Sequence, residues 1–503
     1  MIVVRRKSWL CVIAAVALCC ARIAQAHIGN KDIYQTVSAG SYKLLVTVRT
    51  PLVIPGVAAI EVRSSGAPIR AITITPLPLT GEASKHPPTP DAMKPFSSDP
   101  DFFTGSLWIM ASGSWQVRFN IDGAEGTAVA SIPVPAVPTQ FTRIQRPMAI
   151  VLSVLGCVLV LGAVGIVMAA VRDARLIPGR SAEQSRPRRA LAAGIAALFF
   201  CAAAVYLAGK WWKVEAADYR RGMHHNSALR TSLNGNLLDL SIGDSDPERS
   251  GEWKTVDNTQ FLTDHGHLMH LYAIRWPQMD AVFHLHPVPN AESGFRETLP
   301  TMPPGTYHLY ADVVFRNGFP ETETASLSVP QGLSGAPLGA EDASATPPAI
   351  SNGQLGPRYK LPDGYEMQWD TPAALTFNTP YNLVFHLFDP QGNPAKDMRP
   401  YLGMPGQAAF VKYDGTAFAH THPDGSAAMP AVMLANESSE ISTKAMNAMD
   451  GMTDTSSMNM GTEPLSSTVS FPYGFPSAGT YRVFIQMKHG TTVETGVFDA
   501  SIQ

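Results

Sequence analysis

Along much of the chain apolar and polar residues alternate with a period of two, the pattern of strands that bury one face and wet the other. The stretches SYKLLVTVRT (41–50), GVAAIEVRSS (56–65) and SWQVRFNIDG (114–123) all read this way. One signature recurs: GSWQVRFNI from Gly113, GTYHLYADV from Gly305 and GTYRVFIQM from Gly479. In each, a glycine precedes Ser or Thr, then an aromatic residue, then an alternating strand. Recurrence at this scale marks duplicated supersecondary units. The pattern predicts a mainly β chain of three immunoglobulin-like β-sandwich domains. Trp115, Tyr307 and Tyr481 are expected in their cores.

Two segments break the alternation. Met148–Val171 and Ala190–Gly209 are continuous apolar runs long enough to span a bilayer as transmembrane helices. Arg172, Arg175, Arg180, Arg186, Arg188 and Arg189 lie at or between their ends, so the loop 172–189 is expected in the cytoplasm. Both flanking regions are then expected outside, in the periplasm of a bacterial inner-membrane protein. The N-terminus agrees with export: Arg5, Arg6 and Lys7 precede an apolar run from Trp9 to Cys20, and Ala24–Ala26 (AQA) reads as a cleavage site. Residues 1–26 are read as a signal peptide and His27 as the new terminus.

The predicted organisation is therefore a sandwich at 27–140, the helix pair, a second sandwich at 229–330, a linker at 331–360, and a third sandwich at 361–503. The linker is expected to be flexible from its Gly, Ala and Pro content. These sandwiches are called regions one, two and three. The chain has 503 residues and a net charge of −3, without a long basic run, so nucleic acid is not an expected partner. Of its five cysteines, Cys11, Cys19 and Cys20 lie in the signal and Cys157 and Cys201 in the spans. The exported regions thus have no disulfide, thiolate nucleophile or cysteine metal ligand.

Histidine carries the candidate chemistry. Five of the fourteen histidines fall within Asp264–Pro287, DHGHLMHLYAIRWPQMDAVFHLHP. Tyr401–Pro423, YLGMPGQAAFVKYDGTAFAHTHP, looks like an eroded copy. On a strand, residues i and i+2 share a face about 7 Å apart. His284 and His286 are therefore expected to project together, as are His420 and His422. His267 and His270 come from the preceding strand or turn. The reading predicts one site of His267, His270, His284 and His286, with Asp264 orienting His265 or His267 or capping the turn. A second site offers Met404, His420 and His422, with Gln407 a poor ligand. Region three also carries an insert, near 437–463, with Met446, Met449, Met452, Met458 and Met460 among polar residues. It is expected to be a solvated loop of thioether ligands. Imidazole alone suits zinc, copper or nickel; thioether beside imidazole favours copper, Cu(I) above all. His27 adds a further candidate through its α-amine and ring.

The AHIGN segment at 26–30, the LLVTV strand and the Gly-Ser-Trp strand resemble the FixH/YtkA-like and CopC-like classes of small exported β-sandwiches. Regions two and three resemble membrane-anchored bacterial proteins with H-x-x-H and H-x-H-P motifs. The resemblance implies periplasmic copper handling or metal delivery to an oxidase, with a copper-transfer or oxidase-assembly partner. From the CopC-like class only the leading histidine, His27, carries over.

The expected function is a non-enzymatic, inner-membrane-anchored copper-binding protein for sequestration or delivery. The alternative is an adhesion or membrane-complex assembly protein with structural histidines. An enzyme is the third reading: G-x-S-x-G, H-E-x-x-H and phosphate-loop motifs are all absent from the sequence.

Overall fold

A computed structural model describes residues 32–142, 144–174, 187–244, 253–290, 293–437 and 465–503, and the backbone of His27–Ile28. The signal peptide, most of the arginine loop and the methionine insert lie outside the described residues. The chain divides into two units, one holding the β regions and the other comprising Leu52–Ile54 and Val137–His225.

The second unit is built on two helices, Arg146–Asp173 and Pro187–Arg221, both long and apolar enough to cross a membrane. They overrun the predicted spans at both ends. Their packing is close at Gly194, where a Cβ would stand 2.5 Å from Met168 Cγ. A small residue at such a crossing lets two apolar helices touch backbone to side chain.

The first unit contains six sheets among the described residues. In region two, a four-stranded sheet buries Leu238, Leu240 and Ile242 against Leu271, Ala273, Phe283 and Leu285 of a six-stranded sheet. Region three repeats the plan. Its strands Glu366–Asp370 and Tyr381–Phe388 cover Ala408, Phe410 and Ala419 of a second six-stranded sheet.

The period of two explains what happens next. Alternate residues of the strands His270–Arg275 and Val282–Leu285 turn away from their own core. Tyr272, Ile274 and Val282 instead pack with Ala409, Val411, Phe418 and Phe484 of region three. The two six-stranded sheets are thus buried on both faces. Tyr310 and Phe418 stack across the join with ring centroids 4.1 Å apart. Arg482, fully buried, pairs with Asp499 at 2.9 Å and donates to the carbonyls of Met279 at 2.8 Å and Pro348 at 2.9 Å.

The stretch expected to be a flexible linker contains short regular elements. Ala343–Ala345 forms a strand against Val282–His284, so its backbone groups complete an otherwise open sheet edge. Region one also touches region three: Gln35 bridges Gly425, and Tyr34 N–H donates to Ser426 Oγ at 3.0 Å.

Candidate metal centre

The turn 264–267 and the hairpin that follows it set the site. Asp264 and His267 close a two-residue turn through paired backbone bonds of 2.7 and 3.0 Å. The chain then enters His270–Arg275, which pairs antiparallel with Val282–Leu285, Tyr272 opposite His284. This register places His270, His284 and His286 on the face turned towards region three, and all three are buried. One ring nitrogen from each lies within 4.8 Å of the others.

Their hydrogen bonds decide where the protons are. His270 Nε2 is 3.0 Å from the Asp264 carbonyl oxygen, which can only accept. His284 Nδ1 is 2.7 Å from Gln486 Oε1, and His286 Nδ1 is 2.9 Å from Asp342 Oδ1. Each of these nitrogens is therefore the N–H of its ring. The remaining nitrogens carry lone pairs. His270 Nδ1 and His284 Nε2 face each other at 3.2 Å without a proton to share, and His286 Nε2 makes no hydrogen bond at all. A second proton on either ring is disfavoured. Burial, then the neighbouring histidines, holds His270 and His284 well below the usual histidine range, and burial lowers His286 also. Three neutral imidazoles, outer N–H groups tied to oxygen and inner lone pairs converging, are the arrangement that ligating histidines adopt. The donor set fits a borderline cation such as copper or zinc.

The other expected ligands fall around this core. His267 lies beside His286, ring centroids 4.2 Å apart, with Nε2 2.9 Å from Glu341 Oε2. Two separate sites were expected, one in each region. The structure instead brings both histidine sets onto one interface. The ring of His420 is 5.4 Å from that of His270, 5.6 Å from that of His284 and 4.9 Å from that of His422. His420 bonds Asp312 Oδ2 at 3.1 Å and Gln407 Oε1 at 3.0 Å. Gln407 is thus a hydrogen-bonding partner of His420. Met404 is buried and closes the turn that begins at Tyr401. His27–Ile28 pairs in parallel with Ala417–Phe418 through its backbone; the His27 side chain lies outside the described residues. So do Met446, Met449, Met452, Met458 and Met460.

Sequence reasoning missed the supports of the site. Asp342, Gln486 and Asp312 come from distant segments, and Tyr401 Oη stands 3.2 Å from His284 Nδ1 while donating to the Glu341 carbonyl. Asp264 supports His270 through its carbonyl, while its carboxylate, expected beside His265 or His267, stands 3.4 Å from His265 Nε2. The supports also cross between regions in a matched way. The first histidine of each H-x-H pair bonds the opposite region: His284 to Gln486, His420 to Asp312. Asp312 lies opposite His270 in its sheet, and Gln486 opposite Gln407 in the other.

Comparison with known proteins adds a family without an assigned role. Residues 360–503 match the family described as a domain of unknown function, DUF8832. No curated protein matches the chain. Among solved structures, an engineered protein is similar at 14% identity and a TM-score of 0.15, over 18% of this chain and 20% of that one. A tetra-tandem repeat from the extending region of a large adhesion protein is similar at 9% identity and a TM-score of 0.17, over 90% of this chain and 71% of that one. Salmonella alpha-2-macroglobulin reacted with methylamine is similar at 8% identity and a TM-score of 0.19, over 95% of this chain and 24% of that one. The alignment thus spans about a fifth of the engineered protein and a quarter of the macroglobulin.

Proposed function

We propose that this chain is a non-enzymatic, membrane-anchored copper-binding protein that holds its ion on His270, His284 and His286. One observation carries the reading: three buried imidazoles direct lone pairs into one space while oxygen atoms hold their outer N–H groups. Three nitrogens alone suit zinc as well as copper. The thioethers of Met404 and of the insert, in the same region of sequence, favour copper. The three sandwiches are of the immunoglobulin-like kind, a reading supported by the aromatic-to-carbonyl bonds of Tyr307 and Tyr481. The helix pair anchors them with both ends of the chain in the periplasm, where the protein sequesters copper or passes it to a partner.

The test is Cu(II) loading of the purified full chain, read by metal analysis and by electron paramagnetic resonance. Imidazole nitrogen coupling is expected in the native protein and its loss in His284→Ala and His286→Ala. Native stoichiometry and an unchanged spectrum in both variants would overturn the proposal.

A further inference from the structure

The sheet that sends Gln486 to His284 has a second face, and polar groups gather at one end of it. Its strands Gly479–His489 and Thr492–Ile502 form a hairpin, with Met487 opposite Glu494 and His489 opposite Thr492. Residues directly opposed share a face, and so do residues two apart on one strand. His489 and Glu494 therefore lie on the side of Met487, which belongs to the core of region three. Gln486 and Thr495 take the other side. Asp363 reaches the same place from the turn in which Gly364 N–H donates to the Leu361 carbonyl at 3.1 Å. One ligand atom each from Asp363, His489 and Glu494 lies within 4.8 Å of the others.

The two nitrogens of His489 differ in their surroundings. Nδ1 is 3.2 Å from Asp397 Oδ2, a carboxylate oxygen that can only accept. Nδ1 is therefore the N–H, and Nε2 is left to offer a lone pair. His489 is only 7% exposed, and its Nε2 is buried without a hydrogen-bond partner. Asp363 Oδ2 stands 2.9 Å from that nitrogen, yet out of line for a hydrogen bond. Two ligands of one ion have this relation. In a tetrahedral zinc site with bonds of about 2.0–2.1 Å, ligand atoms stand side by side about 3.3 Å apart and point at the ion, not at each other.

The surroundings hold these groups in place. Asp397 accepts from Tyr365 Oη at 3.2 Å, and its carbonyl accepts from Gly490 N–H at 2.9 Å. The Tyr365 ring stacks on that of His489 with centroids 3.9 Å apart, and Tyr365 N–H donates to Asp363 Oδ1 at 3.1 Å. A carboxylate behind a ligating imidazole, as Asp397 stands behind His489, fixes the tautomer and the ring. Glu494 is buried, and burial, then the charge of Asp363, pushes its carboxyl up to about 7. A cation between the two carboxylates would offset both costs.

We infer that Asp363, His489 and Glu494 form a second metal site, contained within region three on the sheet face opposite Gln486, that takes a divalent cation accepting mixed oxygen and nitrogen ligands, zinc above all. It shares no ligand with the three-histidine site, so each can fail without the other.

Equilibrium dialysis of the full chain against Zn(II), with metal analysis, tests the inference. The native protein should bind about two equivalents tightly, and Asp363→Asn and Glu494→Gln about one each. Asp363 lies in an exposed turn, so Asp363→Asn should keep the native circular dichroism while losing its ion. His286→Ala should retain the equivalent held by Asp363, and His286→Ala with Asp363→Asn should retain none. Zinc uptake unchanged in both Asp363→Asn and Glu494→Gln would overturn the inference and make His489 a doubly protonated ring clamped between two carboxylates. No uptake by the native chain would overturn it too, while the three-histidine site stands or falls on its own copper spectrum.

Discussion

Gln486 is a single side chain whose job can be isolated. Its oxygen accepts from His284 Nδ1 and from Tyr272 Oη, and its amide nitrogen reaches Thr495 Oγ1. Replacing it with Leu leaves His284 free to take the other tautomer. The expected outcome is a loss of metal affinity of about 10–100-fold, measured by competition with a chelator, with all three ligands intact. Glu323 gives a second test. Burial first, and then a hydrogen bond to Glu321, push its carboxyl far above the usual range. The folded protein then keeps a proton that the unfolded chain releases near pH ~4.3. Stability must fall as pH rises above that value, until the folded group also titrates. Glu323→Gln is expected to stabilise the protein by about 1–3 kcal/mol at pH ~8 and to do little at pH ~4, read from melting midpoints. Equal shifts at both values would show that the carboxyl's charge is not at issue. At this scale the sequence was legible wherever ligand spacing is local. His284 and His286 share a strand face, and His270 arrives through the hairpin. Their supports were not legible, because Asp342 lies 56 positions from His286 and Gln486 lies 202 from His284.

Among elements, the thrice-repeated signature has a common mechanical meaning. Trp115 Nε1 donates to the Ala111 carbonyl at 2.9 Å, Tyr307 Oη to that of Pro303 at 2.8 Å, and Tyr481 Oη to that of Ser477 at 3.0 Å. Each aromatic ring reaches back four residues and pins the loop that feeds its strand. The intervening glycines, Gly113, Gly305 and Gly479, have φ of 137°, 143° and 132°, a conformation that L side chains rarely adopt. Tyr307→Phe and Tyr481→Phe should each lower stability by about 1–2 kcal/mol, because a carbonyl loses its donor while the ring stays packed. Denaturant midpoints of the two variants check this. The repeat was visible in the sequence; Tyr307 and Tyr481 are core residues as expected, whereas Trp115 is only half-buried. The strand Ala343–Ala345 was not visible. A short, alanine-rich strand gains its stability from the sheet edge it completes, which leaves no periodic signal in its own residues.

For the whole molecule, the joining of regions two and three matters more than either sandwich. Arg482 spans that join with an ion pair and two carbonyl contacts, all buried. Arg482→Ala should cost about 3–5 kcal/mol by stranding Asp499, and Arg482→Met with Asp499→Leu should recover part of the loss. A double-mutant cycle on melting midpoints gives the coupling. The sequence showed two related histidine clusters and two related domains. It did not show that they meet, because the residues at the join, such as Tyr272, Val411 and Phe418, read as ordinary strand positions. The exchanged bonds, His284 to Gln486 and His420 to Asp312, have the form of a two-fold dimer contact written within one polypeptide. In a true dimer of identical subunits, every change at the contact appears twice. A single chain is released from that constraint and can let one half specialise while the other keeps its shape. Gln407, one residue before the pair Ala408–Thr421 as His270 is one residue before the pair Leu271–Leu285, is the position at which the halves differ.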